Sequence, residues 1–347
     1  MENVSLKQYT KALFGDLFDN KAITEIVINR ENEIFYEDSN GFHIGTAEEC
    51  ARVTKNNLEK FANAVATSCG QKLNEGNTIL GTTLPSDERI QIVIPPSVDK
   101  NQFSITIRKP MSKSLTLEQY QESGFFDDIV IGEHYRPTDY QLAECLSKKD
   151  YLGFFRIAVE SGLYNLAIAG ATGSGKTTFM KACVNEIPEH ERLITIEDVR
   201  ELFSDKHDNI VNLLYPSEAK TTEKSVTPVT PARLLKSCLR MKPDRILLAE
   251  LRAGEAFDYI NAISSGHGGS ITSLHAGTKD EVIRRLTLMT LQNETGSRLP
   301  YDTAKSIIED TIDIIVHIGK INGQRRITSL YWKDYEKVQK HLAKGDI

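Results

Sequence analysis

At 347 residues the chain is long for one hydrophobic core, which predicts two domains of roughly 100–200 residues each. A composition 40% hydrophobic and 26% charged excludes a disordered or fibrous chain. A net charge of −6 argues against non-specific nucleic-acid binding as the main role, because that needs a basic surface to displace counterions.

The first residues, MENVSLKQYTKALFGDLF, show no basic stretch followed by an apolar run, so no signal peptide is expected. No apolar run approaches the ~20 residues of a membrane span, and any membrane contact is expected to be peripheral. Residues 1–110 read as an α+β unit. Ile23–Asn29 alternates apolar and polar, and Glu33–Glu37 is a second short strand. Thr46-Ala47-Glu48-Glu49 has the form of a capping box and predicts a helix running to about Cys69, stopped by Gly70. Arg89–Ile94 and Phe103–Arg108 alternate as strands, bounded by Pro95-Pro96 and Pro110. Residues 111–150 mix a short helical piece with polar and turn residues and read as a connector. The five cysteines (Cys50, Cys69, Cys145, Cys183, Cys238) form no CxxC pair and are expected to be reduced and mostly buried.

Residues 151–347 alternate strand and helix. Asn165–Ala169, Arg192–Ile196, Arg245–Leu251, Ser270–Leu274, Asp313–Ile318 and Arg326–Tyr331 are the strands expected there. Helices are expected over Thr177–Ile187, from Thr230-Pro231 through Met241, and over Gly254–Ser265. Such alternation predicts an α/β fold with a mostly parallel sheet.

Gly170-Ala171-Thr172-Gly173-Ser174-Gly175-Lys176-Thr177 fits G-x-x-x-x-G-K-[ST], between an apolar strand and a helix, with Thr178 following. Glycines let the backbone curl around phosphates and turn N–H groups inward, and the helix dipole favours the anion. Lys176 is expected to reach the β- and γ-phosphates of a nucleoside triphosphate, and the Thr177 hydroxyl to bind Mg²⁺. Two acidic clusters follow strands. Glu197-Asp198 could orient water or hold Mg²⁺ through its hydration shell, or could be a solvated strand exit. Glu250 closes the apolar run Arg245–Ala249 and is the candidate to polarise the attacking water; an ion pair with Arg252 is the structural alternative. His267 and His275 bracket a polar strand; His275 could contact the γ-phosphate or a carboxylate, and their spacing argues against zinc. Arg240, Arg245 and Arg252, with Arg89 and Arg108 from the first half, are candidates to neutralise phosphoryl charge, against surface solubility as the plain reading.

GATGSGKTT, TIEDVREL, LRMKPDRILLAELR and GHGGSITSLHAG, in this order, resemble the secretion ATPase superfamily, and most closely the hexameric traffic ATPases of bacterial type IV secretion systems. LPSDERIQIVIPP and SITIRKP are similar to that family too, so the resemblance spans about residues 80 to 320. It implies a RecA-like P-loop ATPase domain behind a smaller, PAS-like α+β domain. It further implies an ATP- and Mg²⁺-dependent homo-hexamer on the cytoplasmic face of the inner membrane, working with other secretion-system proteins on protein or DNA–protein substrates. Glu197, Glu250 and His275 fall at matching motif positions, and Arg89 and Arg108 are implied to reach the phosphates across the interdomain cleft. The long connector resembles the form in which one domain packs against a neighbouring subunit. Ala249 stands where a glycine is common, adding only a methyl. The runner-up is a pilus assembly or retraction motor or a type II secretion ATPase; these often carry a four-cysteine zinc module, and this chain has no CxxC.

Overall fold

The computed structural model of the protein describes residues 4–100, 102–110, 115–130, 135–216 and 229–344. Its first part contains α1 (Val4–Phe14), β1 (Glu25–Ile28), β2 (Phe35–Asp38), β3 (Gly41–Ile44), α2 (Ala47–Ala51), α3 (Lys55–Ser68), β4 (Ile79–Thr83), β5 (Arg89–Val93) and β6 (Ser104–Arg108). The strands lie in the order β3-β2-β1-β6-β5-β4, antiparallel at every junction. Alternate residues Ile26, Ile28, Ile90, Ile92, Ile105 and Ile107 turn to one core, where Leu13, Phe14, Leu58, Phe61 and Val65 of α1 and α3 cover them.

The single helix expected from Thr46 to Cys69 is two. The Thr46–Glu49 capping box forms, but α2 ends after 5 residues. Thr54 then adopts an extended backbone and accepts from the Asn57 amide to start α3, with Val53 buried at the break. Gly70, at φ +69°, ends α3 as expected.

The rest of the chain comprises α4 (Leu117–Glu122), α5 (Pro137–Lys148), α6 (Tyr151–Glu160), β7 (Leu166–Gly170), α7 (Lys176–Val184), β8 (Leu193–Glu197), β9 (Ile210–Leu214), α8 (Pro231–Cys238), β10 (Arg245–Leu248), α9 (Glu255–Ser264), β11 (Ile271–Leu274), α10 (Lys279–Thr290), α11 (Tyr301–Thr311), β12 (Ile314–Ile321), β13 (Gln324–Trp332) and α12 (Tyr335–Lys344). The second sheet has the order β13-β12-β7-β11-β10-β8-β9, parallel except for the β12–β13 hairpin. Both faces are covered, by α8, α9 and α10 on one side and by α5, α6, α7 and α12 on the other. This is why its strands read as apolar runs rather than alternations.

Part of the stretch expected as a connector is helical. Pro137 opens α5 at its first position, the Asp139 carboxylate accepts from the Arg136 amide at 2.8 Å, and Leu142 and Ala143 are buried beside α6 and α12. Residues 111–114 and 131–134 of that stretch lie outside the described residues. Strand β9, buried on both faces, was not among the expected strands. All five cysteines are free thiols; Cys183 and Cys238 are buried, whereas Cys50, Cys69 and Cys145 are half-buried.

The two sheets are locked together through polar groups at the β8–β9 side. Arg192 is fully buried and donates to Asn29 Oδ1 of the first sheet (2.8 Å), to Asn209 Oδ1, and to the Met241 carbonyl (2.9 Å). Gln91 on β5 donates to Ser237 Oγ at 2.9 Å, and the Leu214 amide donates to the Ser97 carbonyl at 2.9 Å.

Candidate functional site

Strand β7 runs out at Gly170, and the chain turns through Gly173 (φ +71°) and Gly175 (φ +102°) before α7 begins. Both conformations are left-handed, so these positions favour glycine. No side chain caps α7, which leaves its first amides free to face an anion, and Thr177 and Thr178 stand in its first turn. Lys176 is buried. Its Nζ donates to the Gly170 carbonyl (3.0 Å) and the Ala171 carbonyl (3.2 Å), and lies 3.3 Å from His275 Nδ1. Burial lowers the Lys176 pKa, with the Glu250 carboxylate opposing that shift.

His275 follows β11, the strand beside β7, and Glu250 follows β10, the next one out. The structure thus brings Lys176, His275 and Glu250 together from three adjacent strand ends, at the edge where parallel α/β sheets bind ligands. His275 Nε2 lies 2.7 Å from Glu250 Oε1. His275 Nδ1 lies 3.1 Å from the Gly170 carbonyl and 3.3 Å from Lys176 Nζ, so the ring bridges the phosphate loop and Glu250. That 2.7 Å contact is poorly angled, and Glu250 Oε1 is buried without a well-formed hydrogen bond.

The other oxygen is better held. Arg252 places Nε and Nη2 each 2.8 Å from Glu250 Oε2, and Nη1 2.8 Å from Asp198 Oδ2. Burial works against the Arg252 charge, but Asp198 and Glu250 outweigh it and raise its pKa above the ordinary value. The ion pair weighed as an alternative for Glu250 therefore exists, and it coexists with the Lys176–His275 contacts. The Asp198–Arg252–Glu250 bridge joins the ends of β8 and β10 and was not legible from spacing.

Glu197 lies elsewhere. It is fully buried; Oε1 accepts from Thr195 Oγ1 (2.8 Å), and Oε2 accepts from the Glu201 (2.7 Å) and Leu202 (2.8 Å) amides. Burial raises its pKa against these hydrogen bonds. Within this chain its carboxylate is spent on holding the loop after β8. The other arginines expected at the phosphates stand apart from the phosphate loop. Arg240 lies against Gly81 of β4. Arg89 and Arg108 oppose each other across β5–β6, with Arg108 3.6 Å from Glu25. Arg245, buried at the opposite end of β10, pairs with Glu191 and supports α6 through the Val159 carbonyl. His267 contacts the Pro243 carbonyl at 3.1 Å.

Among the described residues no cluster of three or more His, Cys, Asp or Glu is placed to hold a metal ion, and no helix is long and apolar enough to cross a membrane. The oxygens near the loop, the Thr177 hydroxyl and the under-satisfied Glu250 Oε1, are hard donors of the kind Mg²⁺ takes when phosphates and water supply the rest of its shell.

Residues 134–324 match the family described as type II/IV secretion system protein. The chain is 44% identical over 319 residues to the type IV secretion system protein VirB11 of Brucella suis biovar 1 (strain 1330), covering 91% of this chain and 87% of that protein. It is 40% identical over 317 residues to the type IV secretion system protein PtlH of Bordetella pertussis (strain Tohama I), covering 90% and 91%. The crystal structure of the Brucella suis VirB11 ATPase in complex with sulphate superposes with a TM-score of 0.87 at 40% identity, over 97% of this chain and all of that one.

Proposed function

The chain belongs to the type II/IV secretion system protein family as an ATPase of a type IV secretion system, and from that premise we propose how its residues divide the work of hydrolysing ATP to ADP and phosphate. The observation that carries the reading is the convergence of Lys176, His275 and Glu250 at three neighbouring strand ends.

The glycines and the first amides of α7 bind the phosphates. Lys176 exchanges the Gly170 and Ala171 carbonyls for phosphate oxygens, staying in reach because both acceptors belong to the same loop. The Thr177 hydroxyl and the Glu250 carboxylate are the residues that would hold Mg²⁺, which would supply charge neutralisation of the triphosphate. Glu250 orients and polarises the attacking water. His275 contacts the γ-phosphate end and keeps Glu250 in register with Lys176. Glu197 positions the loop that carries Asp198, rather than touching the nucleotide.

The protein acts as a homo-oligomer with secretion-system partners. We place six copies in the ring, at the inner membrane through peripheral contacts, where Arg89, Arg108 and Arg240 would serve phosphates from across an interdomain or intersubunit cleft. Residues 1–110 would form one unit and residues from Pro137 onward the other, because α5 packs on α6 and α12, the two units being joined through Arg192. Particle symmetry by electron microscopy with Mg-ATP tests the number; any symmetry other than sixfold refutes it.

Lys176→Ala is expected to lose nucleotide binding. Glu250→Gln is expected to bind ATP but turn it over at least ~100-fold more slowly, the usual scale for such a group. Unchanged turnover in Glu250→Gln removes it from the reaction.

A further inference from the structure

The β12–β13 hairpin turns at Asn322-Gly323, both with positive φ (+50° and +78°), the two-residue turn that Asn-Gly favours. Strand β12 pairs with β7 so that Ile318 lies opposite Gly170, the first residue of the phosphate loop. The hairpin beyond Ile318 therefore extends alongside that loop. Arg325 of β13 leans onto it: its Cδ lies 3.0 Å, and its guanidinium Cζ 3.9 Å, from where a Cβ on Gly175 would stand.

The hairpin is charged in a way its own strands do not account for. Lys320 and Arg325 are direct partners across β12–β13, with Arg326 next in sequence. Like charges placed directly opposite each other destabilise a strand pair. Among the described residues, none of the three forms an ion pair with a carboxylate; Arg326 donates only to Gln324. A cluster of unpaired cations with one guanidinium resting on a phosphate-binding loop is matched by a bound polyanion.

Sheet order says which part of that anion it meets. His275 and Glu250 reach the site from β11 and β10, on one side of β7, whereas Arg325 comes from β12–β13 on the other. The bond that breaks lies towards Glu250. Resting on the nucleotide-site reading above, we propose that Arg325 binds the α-phosphate and sugar end of the nucleotide, a contact that sets affinity and not the rate of the chemical step.

The test compares Arg325→Ala, Arg325→Lys and Lys176→Ala by equilibrium binding of a fluorescent ATP analogue and by steady-state ATPase kinetics. Arg325→Ala is expected to raise Kd and KM about tenfold, the scale of one charged hydrogen bond, with kcat within about twofold of wild type. Arg325→Lys, which keeps the charge but not the planar fork, is expected to recover part of the loss and covers the case that the alanine variant folds poorly. Wild-type affinity in Arg325→Ala alongside lost binding in Lys176→Ala overturns the Arg325 assignment alone. A lowered kcat at unchanged KM also overturns it. Wild-type binding by Lys176→Ala overturns the site itself.

Discussion

Glu25 opens β1 with Oε2 buried and without a partner. Burial, ahead of the opposing charges of Lys242 and Arg108, pushes its pKa from 4.5 up to about 7. The folded protein thus keeps a proton that the unfolded chain has already released between those values. The contribution of Glu25 to stability is fully present below the lower value and is lost as pH rises through the window, by up to about 3 kcal/mol. Glu25→Gln is expected to flatten the dependence of Tm on pH across this window and to raise Tm at about pH 8. An unchanged pH profile would show that Glu25 titrates normally. At the nucleotide site, Arg252 is the residue that fixes Glu250 Oε2. Arg252→Gln leaves that carboxylate with only its poorly angled histidine contact. Turnover is expected to drop roughly 10- to 100-fold while nucleotide affinity stays near wild type, as for a group that acts through the catalytic base. A loss of affinity with kcat intact would instead place Arg252 on the nucleotide.

Among the elements, β11 shows why its leading glycines are there. Gly269 has φ +69°, and a Cβ on it would stand 2.7 Å from Gly162 Cα. A Cβ on Gly268 would meet the Gly162 carbonyl at 2.9 Å. The turn after α6 crosses directly over the start of β11, and backbone cannot yield as a flexible side chain can. Gly269→Ala is expected to cost more than the ~1–2 kcal/mol of left-handed strain alone, because the methyl also meets main chain. Urea denaturation measures this, and an unmoved midpoint contradicts the crossing. The phosphate loop was legible in sequence because all its chemistry lies in eight consecutive residues between a strand and a helix. Glu250 and His275 were legible as strand-end polar groups, and the Glu250–Arg252 pair from their closeness in sequence, but the contacts of Glu250 with His275 and of Arg252 with Asp198 need the order β7-β11-β10-β8, which no spacing reports. The surroundings of Glu197 were hidden for the same reason: a carboxylate closing a strand looks alike in sequence whether it faces outward or, as here, accepts from the Glu201 and Leu202 amides. Helix α5 escaped notice because its apolar face is narrow, with Leu142 and Ala143 its only buried apolar residues.

At the scale of the whole molecule, the two sheets depend on each other through Arg192. Its donors satisfy Asn29, Asn209 and Met241 at once, in a setting without solvent. Burial pushes its pKa down to about 10, with Asp244 and Glu25 opposing the shift. Arg192→Met keeps the bulk but strands those acceptors, at a cost of about 3 kcal/mol. Calorimetry is expected to show the single melting transition split into two as the first sheet loses its hold on the second; one cooperative transition at the wild-type Tm would show that apolar contacts alone join them. The same junction has a consequence for how copies meet. At one flank of the seven-stranded sheet the amide of Leu214 is already taken by Ser97, and at the other β13 carries Arg325 and Arg326. Both features count against pairing with a foreign strand, the one by taking up an edge amide and the other by positive charge. Copies crowded together during synthesis are thereby less prone to stitch edge to edge into a continuous fibre.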